Sequence, residues 1–241
     1  MKKTKVIIPA LGMLLLSTAA SVTGTVAWFA ANASVTATGM SITAKSDTTF
    51  LLIKAGEADA SSIQTAKKTS DSAQTSSAAL YPAAHDSIAN LAAADTVGNW
   101  YYMYSEDPAS ATGKAGTKTA LTAFTNYVLV NEFSITVAKG SNPVNNFRVK
   151  DVTIDTEGDA AVKALVASSN GVEEFGASTD PAAPRDNPVT LYTGNITDTT
   201  VVQVKIYIYW DGNDTDVYTN GLADLKETSV EVSFTGDVIA A

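Results

Sequence analysis

The stretch "TTVVQVKIYIYWDG", residues 199–212, carries the clearest strand pattern in the chain. Apolar and polar residues alternate along it, which is the period of a β-strand, because successive side chains point to opposite faces. One face would carry Val202, Val204, Ile206, Ile208 and Trp210, and the other Gln203, Lys205, Tyr207, Tyr209 and Asp211. The pattern predicts a strand that is buried on one face and solvated on the other.

The same alternation recurs in both directions along the chain. Residues 228–236, "TSVEVSFTG", would place Val230, Val232 and Phe234 inward. Between Phe124 and Val137 one apolar series is interrupted only by Asn131, which predicts two strands or a kink there. A phase shift in "FRVKDVTI", residues 147–154, predicts a β-bulge near Asp151. Shorter strands are predicted at Phe50–Lys54, Val162–Val166 and Val189–Thr193.

Helical periodicity is scarce, so the sequence predicts an all-β fold. Many short strands separated by turn residues favour one antiparallel β-sandwich of jelly-roll type over residues 45–241. Residues 58–98 are rich in Ala, Ser and Thr, whose preferences for helix and for turns conflict. We interpret this tract as an insertion of loops and short helices, one of them near Asp86–Asp95.

Composition excludes several classes of function. The chain has 241 residues, no Cys, one His and a net charge of −9. Without Cys there is no disulfide framework, thiolate metal site or thiol catalysis. The negative charge argues against binding to nucleic acid. His85 stands alone, far from any nucleophile or zinc motif, so we expect no enzyme and a surface position for this residue.

One acidic cluster follows the strand of the opening stretch. In "WDGNDTD", residues 210–216, oxygen ligands suited to Ca²⁺ are Asp211, Asn213, Asp214 and Asp216. The EF-hand spacing fails, and Asp-Gly and Asn-Asp are common turn formers. The cluster therefore favours a strand-ending turn, with a Ca²⁺ site as the alternative, and no other cofactor is expected.

The N-terminus has the layout of a secretory signal helix. "MKKTK" is basic, the eleven residues "VIIPALGMLLL" are uncharged, and small polar residues follow. A membrane helix would need ~20 predominantly apolar residues. We expect residues 1–27 to be a cleaved signal, with a retained membrane anchor as the alternative. In both cases the rest of the chain is secreted or displayed at the cell surface.

Residues 24–44, "GTVAWFAANASVTATGMSITA", continue from that segment into a second alternating pattern. One face would carry apolar and mostly small residues, namely Phe29, Ala31, Ala33, Val35, Ala37 and Gly39. After Gly39 the phase changes, as a glycine bulge would produce. We predict an N-terminal strand over residues 28–44, which either pairs within its own subunit or is donated to the sheet of a neighbour.

This junction resembles that of the TasA/camelysin-like secreted fibre proteins of Gram-positive bacteria, which have a SipW-type signal peptide. Residues 25–29, "TVAWF", match the cleavage junction, and residues 37–42, "ATGMSI", match the entry to the following strand. The resemblance covers about residues 1–44. It implies a jelly-roll domain that polymerises in the biofilm matrix by passing its N-terminal strand to the next subunit.

We therefore expect a secreted structural subunit of an extracellular filament. Its partners would be further copies of itself, with accessory matrix or anchoring proteins possible. The alternative is a membrane-anchored surface module, similar to an adhesin, that recognises glycan or protein. The two differ in whether residues 1–27 remain on the mature chain.

Overall fold

A computed structural model describes residues 41–46, 50–66, 68–72, 80–102, 118–155, 161–176, 188–214 and 229–240. The predicted signal helix, residues 28–40 of the predicted N-terminal strand, and Asp216 lie outside the described residues. Among the helices of the described residues, none combines the length and apolarity needed to cross a membrane.

The described residues are organised mainly as β-strands, with two short helices and one 3₁₀ turn. In chain order the strands are β1 Ser41–Ser46, β2 Leu51–Ala55, β3 Thr69–Ser72, β4 Ala84–His85, β5 Trp100–Tyr102, β6 Thr119–Ala120, β7 Val128–Val137, β8 Val144–Asp155, β9 Val162–Ser168, β10 Val172–Gly176, β11 Thr190–Tyr192, β12 Val202–Trp210 and β13 Ser229–Val238. The helices are α1 Ala60–Ile63 and α2 Leu91–Asp95, and the 3₁₀ turn is Val97–Asn99.

The strands form two five-stranded sheets and one small three-stranded sheet. Sheet A has the order β11-β8-β13-β1-β3, and sheet B has the order β10-β9-β12-β7-β2. The third sheet has the order β4-β5-β6. Neighbouring strands are antiparallel except β1 and β13, which run parallel. The all-β prediction is confirmed.

Sheets A and B share one hydrophobic core. Sheet B contributes Val202, Val204, Ile206, Ile208 and Trp210 of β12, and sheet A contributes Val230, Val232 and Phe234 of β13. All of them are at most 2% exposed. These are the inward residues that alternation predicts for both strands, because burial of apolar area fixes which face of a strand turns inward.

Two details of strand continuity were also predicted from the sequence, one of them correctly. The ladder pairs Ser233 with Asp151 and then Phe234 with Val149, so Lys150 is the extra residue of a β-bulge at the expected place. The expected break at Asn131 is wrong. Strand β7 runs through this residue, which is 3% exposed, because the ladder to β12 pairs it with Ile206 and continues on both sides.

The prediction of a half-buried β12 is wrong over its second half. Tyr207 is 0% and Tyr209 is 2% exposed, although they lie on the face opposite the shared core. They are covered by the cap, which we define as residues 80–102 and 118–127. The cap contributes Ala83, Ile88, Ala94, Trp100 and Leu121 to a second hydrophobic cluster on the outer face of sheet B.

Candidate functional site

A group of polar side chains lies between the cap and the outer face of sheet B. We call it the Lys163 cluster, and its members are His85, Lys163, Glu174, Tyr209 and Asp211. Strands β10, β9 and β12 are neighbours, and the ladder places Lys163 directly opposite Tyr209. Side chains opposite each other in a sheet share a face. The cap adds His85 from β4, so one site is assembled from segments far apart in the chain.

Lys163 is the centre of this cluster. Its Nζ lies 2.7 Å from Oε1 of Glu174 and 2.8 Å from Oδ2 of Asp211. The second oxygen of Asp211, Oδ1, accepts a hydrogen bond of 2.9 Å from the backbone N–H of Asn213. A primary amine is thus held between two carboxylates, at a position where its side chain is 30% exposed.

Glu174 receives further contacts on its other oxygen. The hydroxyl of Tyr209 donates a hydrogen bond of 2.9 Å to Oε2, and Nε2 of His85 lies 2.8 Å from the same atom. The hydrogen bond with His85, followed by those from Lys163 and Tyr209, lowers the pKa of Glu174 to about 2, against the opposing effect of burial. Glu174 is therefore a carboxylate at neutral pH.

The partners of Glu174 are shifted in the opposite direction. Burial raises the pKa of Tyr209, and the neighbouring carboxylate of Glu174 raises it further, so this phenol stays protonated and remains a donor. Burial lowers the pKa of Lys163, but its hydrogen bonds to Asp211 and Glu174 outweigh burial and raise it above the ordinary value. In the resting cluster the carboxylate of Glu174 therefore faces the ammonium of Lys163 and the neutral phenol of Tyr209.

The prediction of a surface position for His85 is wrong. Its side chain is 12% exposed, and its ring packs edge-on against Trp100 at 4.9 Å between ring centres. Its Nε2 also lies 3.1 Å from the hydroxyl of Tyr209. Its Nδ1 is buried without a hydrogen-bond partner in the part of the chain that the structure describes. The expectation failed because β4 folds back onto sheet B, which no local pattern encodes.

The Ca²⁺ candidate forms a turn in its described part. The N–H of Asp214 donates to the carbonyl of Asp211 at 3.0 Å, and both carboxylate oxygens of Asp211 already have partners. Within the described ranges, no group of three His, Cys, Asp or Glu side chains could hold a metal ion. Residues 211–214 thus form a turn after β12, and Asp216 lies outside the described residues.

A second charged contact joins the cap to the same sheet. Nζ of Lys205 lies 2.9 Å from both carboxylate oxygens of Asp95, the last residue of α2. The hydroxyl of Tyr207 donates a hydrogen bond of 2.6 Å to the same carboxylate. Burial, followed by this contact, raises the pKa of Tyr207. His85, through Glu174 and Tyr209, and Asp95, through Lys205 and Tyr207, therefore attach the cap to sheet B at two points.

The predicted assembly residues, Phe29 to Gly39, precede the first described strand. That strand, β1, lies inside sheet A between β13 and β3, with Ser41 opposite Ser229 and Ser46 opposite Phe234. The predicted strand over residues 28–44 is thus present in its last part, from Ser41 onward. The chain enters sheet A at the end at which β13 begins.

Sequence reasoning missed the Lys163 cluster, apart from placing Tyr209 and Asp211 on one face of β12. Lys163 and Glu174 lie in short segments with no motif spacing, and His85 comes from the insertion. Comparison of the chain with protein-family models, with curated proteins and with solved structures finds no match.

Proposed function

We propose that this chain is a secreted structural subunit of an extracellular filament or biofilm matrix, with a jelly-roll sandwich as its domain and no catalytic role. It assembles by donating residues 28–39 to a neighbouring copy. The observation that carries the proposal is the place of β1, because a strand held between two neighbours fixes the point from which the preceding segment extends.

The length and pattern of the preceding segment support donation. β1 runs parallel to β13 with Ser41 opposite Ser229, so the end of β1 that would follow the donated segment is the end at which β13 begins. A segment of about twelve residues spans ~40 Å when extended, enough to lie along a sheet edge of another subunit. In its alternating pattern, one face carries apolar and mostly small side chains, and the other carries mainly polar ones. In a donated strand, backbone hydrogen bonds would supply affinity, and the alternate side chains would fix the register.

The deciding experiment removes residues 28–39 from the secreted chain and images the product by negative-stain electron microscopy. We expect a folded monomer without filaments, since β1 and the shared core remain. A second variant replaces the same residues by Gly and Ser at equal length, which keeps the reach of the segment and removes its side-chain pattern. Filaments in either variant would contradict strand donation.

Mass spectrometry of the mature N-terminus separates this proposal from the anchored alternative. Donation predicts a chain that begins near Trp28, because the donated strand must be released from the membrane. A mature chain that keeps residues 1–27 and stays monomeric at high concentration would favour a membrane-anchored binding module instead.

A further inference from the structure

The Lys163 cluster has the composition of an acyl-transfer site, and no part of the proposed filament function uses it. It holds an amine, an adjacent carboxyl group, a second carboxylate and a backbone donor. We propose that Lys163 and Asp211 form an intramolecular isopeptide bond, with Glu174 as the group that moves the protons. The bond would join β9 covalently to the residue that follows β12.

The atoms that must react already lie in contact. Nζ of Lys163 lies 2.8 Å from Oδ2 of Asp211, an oxygen bound to the carbon that the amine would attack. The N–H of Asn213 donates to Oδ1 at 2.9 Å, where it would stabilise the negative charge that develops on this oxygen. Oδ2 would then be the oxygen that leaves.

Glu174 is placed to accept a proton from the amine of Lys163. Its Oε1 lies 2.7 Å from Nζ, within the reach required of a general base. The ammonium of Lys163 and the carboxylate of Asp211 together contain all the atoms of one amide and one water. Nζ loses two protons, both of which leave with Oδ2 as water, while the N–C bond forms and the C–O bond breaks. No oxidant, reductant or cofactor is needed.

The fold holds the amine and the carboxylate in contact, whereas free amines and carboxylates in water meet only by diffusion. Groups held in reacting geometry reach effective molarities of about 10⁵–10⁸ M, which favours condensation over hydrolysis. Asp211 is 8% exposed as a residue, and the buried rings of Trp100 and Tyr209 lie over this part of the sheet. Because the ionic contacts favour the ammonium form of Lys163, the reactive neutral amine is a minor species. The bond would therefore form slowly, after folding.

The contact between Lys205 and Asp95 is an internal control. Nζ of Lys205 lies 2.9 Å from Oδ1 of Asp95, close to the 2.8 Å between Nζ of Lys163 and Oδ2 of Asp211. Among the described residues, however, Asp95 is the only carboxylate within 4 Å of that amine. Asp95 is also more exposed, with 40% of its side chain accessible, against 12% for Asp211. Proximity alone would link both pairs, whereas an assembled site would link only Lys163 with Asp211.

Intact-mass spectrometry of the denatured full chain tests the proposal, both freshly purified and after days at 37 °C. We expect a mass lower than the sequence mass by one water, and a branched tryptic peptide joining Lys163 to Asp211. K163R should keep its full mass, and K205R should still lose one water. D211A should also keep its full mass, because it lacks the carboxyl group that reacts, while E174Q should slow the loss of water at least tenfold.

Circular dichroism of each variant shows whether it is folded before its mass is interpreted. A full-mass wild-type chain in both fresh and aged samples would overturn the proposal. A loss of water that persists in K163R would also overturn it, because the loss would not require Lys163; a succinimide at the Asp211–Gly212 sequence loses one water in this way. A branched peptide at Lys205 would show that proximity alone is sufficient, and would overturn the role given to Glu174.

Discussion

Sheets A and B are built from the same alternating pattern, yet they differ in what covers their outer faces. On sheet A, Lys150 and Thr153 of β8 are exposed, as the polar half of an alternating strand should be. On sheet B, Tyr207 and Tyr209 occupy the equivalent face of β12 and are buried under the cap. Alternation therefore shows which face of a strand is more apolar, while a distant segment decides whether the other face meets water.

This difference assigns separate roles to the two sheets. The cap covers sheet B through the second hydrophobic cluster, the contact of His85 with Glu174, and the contact of Asp95 with Lys205. Sheet A receives β1, the strand that directly follows the proposed donor segment. The stabilising contacts of the cap are thus made with sheet B, whereas the proposed assembly involves the strand that enters sheet A.

Removing the largest cap side chain should have the largest effect. Trp100 is 0% exposed, packs against Tyr207 and Tyr209, and donates a hydrogen bond of 2.9 Å to the carbonyl of Ala94. We expect Trp100→Ala to lower the free energy of unfolding by about 3–5 kcal/mol, from lost burial and the cavity left behind. Urea denaturation measures this change.

The matched substitution on sheet A is Thr153→Ala, at an exposed position of β8. Its unfolding free energy should stay within about 0.5 kcal/mol of wild type. A loss in Trp100→Ala no greater than that in Thr153→Ala would mean that the cap contributes nothing to the stability of sheet B, and the comparison of the two sheets would fail.

The next effect concerns the charged contacts beneath the cap. Glu174→Gln keeps the size of the side chain but removes the charge that Lys163 faces. We expect a loss of about 1–3 kcal/mol in unfolding free energy, typical of hydrogen bonds to a charged group, because Lys163, Tyr209 and His85 all contact this carboxylate. Glu57→Gln, at an exposed position, is the matched control and should change stability little. Equal effects of the two substitutions would contradict the importance of the cluster.

The pH dependence of stability should report the same carboxylate. The pKa of Glu174 is about 2 in the folded chain, below its ordinary value of 4.5. A lowered pKa stabilises the fold above the ordinary value, and this contribution is lost as the pH falls from 4.5 towards 2. In protein shown by its mass to lack the cross-link, wild type should therefore lose more stability over this interval than Glu174→Gln. Parallel curves of unfolding free energy against pH would contradict the assignment.

The smallest effect is expected at an ion pair on the surface of sheet A. Nη2 of Arg148 lies 2.9 Å from Oδ1 of Asp237, whose side chain is 51% exposed. The contact lowers the pKa of Asp237, but solvent and salt screen it. Asp237→Asn should cost less than about 1 kcal/mol, and added salt should reduce that cost further. If Asp237→Asn lowered the unfolding free energy as much as Glu174→Gln does, the exposed ion pair on sheet A would contribute as much as the contacts beneath the cap, which would contradict the comparison.

The sequence was sufficient for elements that depend on local alternation. Strands β12 and β13, their inward residues and the bulge at Lys150 follow from burial on one face. It was insufficient where a distant segment decides the outcome. Burial of Tyr207 and Tyr209, and the position of His85, depend on how the cap folds back over sheet B. No periodicity within β12 or the insertion carries that information.

The Lys163 cluster could not be predicted for a related reason. Its members come from three strands of sheet B, a turn and the cap, and only Tyr209 and Asp211 are near each other in sequence. A lone lysine on a strand is normally a solvated residue. Its partners become evident only when the order of strands β10, β9 and β12 is known.

The most direct test of strand donation compares two neighbouring substitutions by negative-stain electron microscopy of the secreted protein. Ala33→Asp places a charge on the small, apolar face of the donor segment, and Ser34→Asp places the same charge on its polar face. The account predicts that Ala33→Asp abolishes filaments while Ser34→Asp retains them, with both chains folded. Filaments of equal abundance in the two variants would contradict it.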